Sequence, residues 1–418
     1  MIEENKYMES EASYFGKKKM IFIANVDTGQ GMSGGSRIYF ELLKKIPENI
    51  EVFLFGSRGT IKRLQKENVR DITFVEVDYD DNPNLYALRG VLKHFLKRFI
   101  KGMLAMRRNA DIIDQADYIY SASDFYPDFF PAFYAKLKNK KIKWIAGYYL
   151  FAPAPFAKDS PYKGRNVFRG LLYWLMQRPS YYVAKHWADF VLVTSDPDVK
   201  KFVTKKRNTD KIIVVQGGVD ITESEKYLQS GNIVPVEKRK YDACFVGRFH
   251  YQKGAIELVD IWKKVCGKKP EARLAMVGNE SSDNPTENTV KENIKKYGLE
   301  HNIDLLGFRD GQDKYEIFKQ SKMIVHPAVY DSGGMAAAEG MAWGLPGLSF
   351  DLEALKTYYP KGVIKIVPGN KEQFAENILA LLEDRDLYDK ISKEAHDLII
   401  EVWDWDKRAE SIFSRLFV

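Results

Sequence analysis

The stretch HPAVYDSGGMAAAEGMAWGLPGLSFD, residues 326–351, reads as strand, turn and helix, and the rest of the chain is arranged around it. Met323 to Val325 end an apolar run that Pro327 closes. Ser332-Gly333-Gly334 then forms a loop whose backbone bends tightly and approaches a ligand without hindrance from Cβ. Met335 to Trp343 is rich in Ala and Met with one Glu, all good helix formers, and Gly344-Leu345-Pro346 stops it. The unpaired N–H groups and the dipole of a helix start attract an anion, and phosphate is the commonest biological candidate. Asp331 precedes the glycines and Glu339 follows eight residues later, one turn inside the helix, so two carboxylates flank that position. An acceptor-only carboxylate beside a phosphate pairs well with a sugar diol. The plainer alternative is an ordinary strand-to-helix turn with a solvated Glu.

Composition sets the outer limits. The 418 residues suffice for two domains, each with its own core, and 45% hydrophobic with 29% charged residues describes a globular chain. Two cysteines, Cys244 in an apolar strand and Cys266 near a helix end, suit a reducing cytosol and offer neither a disulfide nor a zinc framework. The acidic, polar N-terminus lacks the apolar core of a signal peptide, and no run approaches the ~18 consecutive apolar residues of a spanning helix. A cytoplasmic location is expected, with peripheral attachment to the inner membrane face as its variant. Net charge is +7, and residues 1–225 carry 36 Lys and Arg against 27 Asp and Glu, so the positive excess belongs to the first half. That imbalance predicts an anionic partner there: a membrane surface, a phosphorylated acceptor or a nucleic acid.

Taken in order, residues 1–18 read as a polar leader. Met20 to Asn25 is an apolar strand of the kind buried on both faces of a parallel sheet. Gly29-Gln30-Gly31-Met32-Ser33-Gly34-Gly35 follows, and Ser36 to Ile46 has helical periodicity. This contains the dinucleotide fingerprint G-x-G-x-x-G, and Arg58 after the second strand stands where an NADP-dependent oxidoreductase keeps an arginine. Against that, Val26-Asp27-Thr28 separates the strand from the first glycine. Further strands at Glu51–Phe55, Ile72–Val77, Tyr118–Ser121, Ile142–Ala146, Phe190–Thr194 and Ile212–Gln216 alternate with helices, the pattern of a doubly wound α/β domain.

Between Leu85 and Arg108 lies a basic helix. Leu88, Val91, Leu92, Phe95, Leu96, Phe99, Ile100 and Met103 make its apolar face, and Lys93, Lys97 and Lys101 stack on another, where an anionic surface would relieve their repulsion. A solvated flank on a core helix is the plainer reading. Val167 to Met176 is a second apolar, aromatic stretch suited to lipid headgroups or to the core. Residues 221–240 lapse into polar sequence and read as a linker. A second α/β unit runs through strands at Tyr241–Gly247, Arg273–Gly278, Ile303–Gly307, Met323–Val325, Gly347–Phe350 and Ile364–Val367, and helices close the chain.

Gly247-Arg248-Phe249-His250-Tyr251-Gln252-Lys253-Gly254 follows the first strand of that unit directly. Arg248 and Lys253 at a strand's carboxyl end face the crevice where open α/β sheets bind ligands, placed to hold a pyrophosphate and to stabilise it as it leaves. With Gly218-Val219-Asp220, Val277-Gly278, Leu306-Gly307-Phe308, Asp331 spaced to Glu339, and Trp405 to Glu410, the ordered set resembles the retaining GT-B glycosyltransferases, family 4 type, over nearly the whole chain. The resemblance implies two Rossmann-like domains facing across a cleft, at residues 19–225 and 226–402, with a C-terminal helix at 403–418 crossing back.

For the site, the resemblance implies that Arg248 and Lys253 bind the diphosphate and Glu339 the nucleotide ribose. Gly247, His250 and Gly278 line the donor, backbone at Phe308 and Arg309 meets the base, and Ser332, Gly333, Gly334 and Met335 with Asp331 hold the sugar and β-phosphate. Gly34, Gly35 and Ser36 approach from the first domain, which reassigns the apparent dinucleotide fingerprint. Asp331 stands where the family has Glu, one methylene longer, so an inactive nucleotide-sugar-binding scaffold is a third reading. An acceptor-side histidine is absent from residues 146–150, where Tyr148 and Tyr149 stand, with Asp124 also expected on that side. No metal is expected: Asp78/Asp80, Asp196/Asp198 and Asp404/Asp406 each match D-x-D in unrelated contexts, and no histidines pair. The expected partners are a nucleotide-diphosphate sugar, a saccharide or lipid-linked acceptor, and a peripheral contact with an anionic membrane, with no nucleic acid and no cofactor.

Overall fold

The computed structural model describes residues 17–27, 34–67, 69, 72–77, 88–157, 160, 162, 164, 166–278, 285–331 and 333–417. The first unit runs β1 (Lys18–Ala24), α1 (Gly34–Lys44), β2 (Ile50–Gly56), α2 (Arg58–Lys66), β3 (Ile72–Glu76), α3 (Leu88–Arg108), α4 (Ala110–Gln115), β4 (Tyr118–Ser121), α5 (Tyr126–Lys138), β5 (Lys143–Gly147), α6 (Asn166–Trp187), β6 (Phe190–Val193), α7 (Asp196–Phe202) and β7 (Ile212–Val214). After α8 (Thr222–Gln229) the second unit follows: β8 (Ala243–Val246), α9 (Ala255–Lys268), β9 (Leu274–Val277), α10 (Pro285–Tyr297), β10 (Ile303–Leu305), α11 (Gln312–Lys319), β11 (Ile324–His326), α12 (Met335–Met341), β12 (Gly347–Phe350), β13 (Val363–Ile366), α13 (Lys371–Glu383), α14 (Arg385–Val402) and α15 (Trp405–Leu416).

The strands form two separate sheets, in the orders β3-β2-β1-β4-β5-β6-β7 and β10-β9-β8-β11-β12-β13, with every pairing parallel. Helices cover both faces, which is why the strands are continuous apolar runs: Met20 to Ala24 of β1 are all buried. On the first sheet, Met106, Phe129, Ala184 and Phe202 bring α3, α5, α6 and α7 onto one face. Ile38, Leu43 and Leu64 of α1 and α2 cover the other, joined by Ile412, Phe413 and Leu416 of α15. The last helix therefore packs into the first domain although the second domain precedes it. Its entry is tight: a Cβ on Gly218 would lie 2.6 Å from the Trp405 indole, and Val219 N–H donates to the Trp403 carbonyl at 2.9 Å.

In each sheet the strand order reverses beside its first strand, between β1 and β4 and between β8 and β11. Loops leaving such a pair diverge and open a crevice. In the second domain those loops are residues 247–254 and 327–334.

Three expectations need correction. The polar stretch at 221–240 is not a bare linker, because Thr222–Gln229 is helical and Tyr227 packs on Trp343 with ring centroids 5.6 Å apart. The helix after the glycine loop stops at Met341, two residues short of Trp343, which turns away into the core. In α3 the buried line is Arg98, Gly102 and Met106, while Leu92, Leu96 and Ile100, expected to face the core, are exposed. These apolar side chains do not turn inward because α5 and its cap Phe125 cover only the side carrying Phe95 and Phe99. The leader 1–16, residues 28–33 with Gly29 and Gly31, Asp78, Asp80 and Ser332 lie outside the described residues.

Candidate active site

The two loops at the second switch point are stitched together by their backbones. Val329 and Tyr330 N–H groups donate to the Gln252 carbonyl at 2.9 and 3.2 Å. Gly254 makes that approach possible: it sits at φ +70°, and a Cβ there would lie 1.9 Å from the Pro327 carbonyl oxygen. Gly278 is equally constrained, its Cβ position lying 2.4 Å from the Gly247 oxygen.

Held this way, Lys253 Nζ donates to Asp331 Oδ2 at 2.6 Å, and His326 Nε2 lies 2.8 Å from the same oxygen. A carboxylate only accepts, so Nε2 carries the proton. Burial alone would raise Asp331, but Lys253 and the His326 hydrogen bond outweigh it and hold the carboxyl well below the usual range. Asp331 is thus buried and committed to Lys253 rather than directed at an open site. Arg248 differs: it is exposed, and among the described residues no side chain pairs with it. Next to both cations, burial with Arg248 and Lys253 pushes the His250 imidazole down to about 4, so it is neutral at physiological pH. Its Nδ1 accepts from Gln252 N–H at 3.4 Å, capping the turn that carries Lys253.

Glu339 projects from α12 between the domains. Its Oε2 accepts from Lys314 Nζ at 3.1 Å, and its Oε1 lies 3.5 Å from Nη2 of Arg37 on α1. Burial would lower Lys314, but Glu339 and Asp310 outweigh it and raise the ammonium. Gly34, Gly35 and Ser36 open α1, and Gly34 approaches Met335 at the start of α12, with 3.7 Å from its Cβ position to the Met335 sulfur. Behind the loop, the Tyr359 phenol donates to the Gly334 carbonyl at 2.6 Å and reaches the Gly333 carbonyl at 3.4 Å. Phe308 is exposed, and the Arg309 guanidinium folds back onto the Phe308 carbonyl at 3.1 Å.

The first domain meets these loops through its own switch point. Asp124 follows β4, accepts from Gln177 Nε2 of α6 at 2.8 Å, and is pushed by burial up to about 6 against that bond. Tyr148 packs in the core among Phe151, Tyr181 and Phe202, and Tyr149 is buried with its hydroxyl against that of Tyr120. Direct contact across the cleft comes instead from Tyr330, whose hydroxyl donates to the Phe151 carbonyl at 2.6 Å, and from the ring of Tyr251 against Tyr162 at 5.8 Å. Of the other candidates, Arg58 is held by Glu76 at 2.8 Å, Asp198 by Ser195 and Lys201 at 2.7 Å each, and Asp404 caps α15. Among the described residues no three His, Cys, Asp or Glu side chains gather as metal ligands.

Arg37, Lys314, Tyr330 and Tyr359 were not read as site residues from the sequence. Arg37 carried a signal, standing one position after Gly34-Gly35-Ser36; the others depend on approaches between distant segments.

Residues 231–398, which hold both switch-point loops, match the family described as glycosyl transferases group 1. The chain is 27% identical over 229 residues, 52% of its own length and 57% of the other's, to an uncharacterised glycosyltransferase of Methanocaldococcus jannaschii. It is 28% identical over 42% of its length to the GDP-mannose:cellobiosyl-diphosphopolyprenol alpha-mannosyltransferase of Xanthomonas campestris, covering 44% of that enzyme. The chain thus spans about half the length of the curated relatives it matches. Its GT-B fold is shared with Anabaena HepE in complex with UDP and glucose, at a TM-score of 0.67 and 17% identity, over 96% of this chain and 99% of that one.

Proposed function

We propose that the chain transfers a sugar from a nucleotide-diphosphate donor to a saccharide or lipid-linked acceptor with retention of configuration, in glycan or cell-surface polysaccharide synthesis. The observation that carries this is Arg248, an exposed cation without a side-chain partner among the described residues, at the carboxyl end of β8 beside the Lys253–Asp331 pair. In this reading Arg248 and Lys253 meet the charge that develops on the departing diphosphate, and no metal is required. Glu339 exchanges its 3.5 Å Arg37 contact for the ribose diol and keeps Lys314. The departing phosphate oxygen takes the acceptor proton on the face it leaves, so the new bond forms on the side of the old one. Asp331, tied to Lys253, orients that cation and leaves sugar hydroxyls to the loop backbone at Gly333 and Gly334. The acceptor lies on the Asp124 side of the cleft, and a lipid-linked acceptor is presented at the cytoplasmic face of an anionic membrane.

Thermal stabilisation by UDP, GDP, dTDP, ADP and NADPH tests the reading, because ligand binding to the folded state raises stability by mass action. One nucleoside diphosphate is expected to stabilise the wild type and not an Arg248→Ala, Lys253→Ala double variant. Stabilisation by NADPH alone, equal in both proteins, overturns it.

A further inference from the structure

The helices α3 and α6 stand in the layer that covers one face of the first sheet. Together they hold 43 residues, of which 10 are Lys or Arg and none is Asp or Glu. Their exposed residues are also patterned. On α3, Leu92, Leu96, Ile100 and Leu104 are 41, 59, 47 and 38% exposed and recur every four residues, so they form one row along the helix. Lys93, Lys97 and Lys101 form the neighbouring row, one residue on and so about 100° round the axis. The inner side is fixed by close packing: a Cβ on Gly102 would lie 2.7 Å from Asn25 Nδ2. On α6, Phe168, Leu175 and Tyr182 are 76, 51 and 64% exposed at intervals of seven, again one face, and Arg178 lies 3.9 Å above the Trp174 ring.

Single exposed apolar residues are ordinary, but rows on two carboxylate-free helices of one layer are not. We infer that α3 and α6 form a docking face for an anionic lipid bilayer, lying in the headgroup plane. Leucine and phenylalanine side chains enter the acyl boundary, and the exposed Lys93 and Lys97 extend along their own methylenes to reach lipid phosphates. Nucleic acid would satisfy the cations and leave the leucine row in water, which is why lipid is the better match. The helices lie on the bilayer and do not span it: among the described residues no helix is long and apolar enough to cross. On its inner side α6 carries Gln177, the donor to Asp124, so the docking face and the acceptor side are opposite surfaces of one helix.

Vesicle binding needs no sugar donor, so it is measured independently of the transferase reading. Full-length protein is sedimented with vesicles of phosphatidylcholine alone and of phosphatidylcholine mixed with phosphatidylglycerol. Binding is expected to the mixed vesicles only and to weaken with salt. At about 1 kcal/mol per lysine near an anionic surface, Lys93→Gln with Lys97→Gln weakens it roughly thirtyfold. Leu96→Ser with Ile100→Ser, which alters exposed positions and leaves the melting temperature unchanged, weakens it at least about tenfold. Equal binding to both vesicle types, no binding, or unchanged binding by both variants overturns the inference. So does a concentration-dependent dimer that Leu96→Ser with Ile100→Ser dissolves while vesicle binding is absent, which assigns the face to a second copy of this chain.

Discussion

Replacing Lys253 by Met separates the buried charge pair from the shape of the loop around it. The Asp331 side chain is 8% exposed, with Lys253 at 2.6 Å, His326 at 2.8 Å and the Gly333 N–H at 3.4 Å among its partners. Removing one member of a fully buried pair costs about 3–5 kcal/mol, because the other is left desolvated and uncompensated. Lys253 is 26% exposed and His326 still donates, so the expected loss at pH 7 is smaller, about 2 kcal/mol. Its pH dependence has a definite sign. In the wild type the Asp331 carboxyl titrates well below its ordinary value, so its stabilisation is complete above the unfolded-state pKa and is lost as pH falls through the folded one. In the variant burial dominates and moves the carboxyl upward, so the folded state takes up a proton before the unfolded chain does. The gap between the two proteins is therefore widest at pH 7 and narrows as pH falls toward about 4. Guanidinium denaturation followed by tryptophan fluorescence at both pH values measures it. A gap under about 0.5 kcal/mol, or one independent of pH, refutes the argument that Lys253 compensates Asp331.

Three further outcomes follow from the same loops. Gly254→Ala combines a left-handed backbone with a 1.9 Å overlap onto the Pro327 carbonyl and is expected to destabilise by at least about 3 kcal/mol; Gly267→Ala, with nothing within 4 Å on the same helix α9, is expected to raise the melting temperature, so equal effects would sink the steric account. His250→Asn keeps a capping side chain but removes an imidazole that titrates at about 4 when folded and 6.5 otherwise. A depressed histidine loses stability as pH falls through that interval, so the variant should lose less between pH 6.5 and 4 than the wild type, and an unchanged difference counts against the assignment. Glu339→Gln leaves the buried Lys314 with Asp310 alone and should cost about 1–2 kcal/mol, most of it absent when Lys314 is also replaced by Met; additive losses in that double-mutant cycle would show no coupling.

Both sheets were legible in the sequence because parallel strands covered on two faces are short apolar runs bounded by glycine or polar residues. Tyr118–Ser121 and Gly347–Phe350 were placed without error, and the other strands within two residues at either end. The loops at the carboxyl ends of β8 and β11 were also legible, since glycines that permit close approach and cations beside them are local signals. What escaped was set by partners distant in sequence. Asp331 reads as a ligand-facing carboxylate until the backbone stitching at Gln252 brings Lys253 against it. Tyr148 and Tyr149 read as cleft residues, but a strand's end alternates between two helix layers, and both layers bury them. The helix Thr222–Gln229 was lost in polar sequence because it uses only Tyr227 and a few neighbours to dock. The exposed row on α3 was misread as core because periodicity finds an apolar face without saying what covers it.

The return of α15 into the first domain bears on how the chain reaches this state as it is made. Trp405, Ile412, Phe413 and Leu416 complete a core otherwise built from residues before 216, and the Phe417 ring rests 5.0 Å from that of Tyr118 on β4. A ribosome therefore releases the whole second domain before it delivers the pieces that finish the first. The domain made first must wait, with an apolar strip open along α1 and β4, while the domain made second closes within its own sequence. Order of synthesis and order of completion are reversed: the core of the first domain closes only when α15 reaches it.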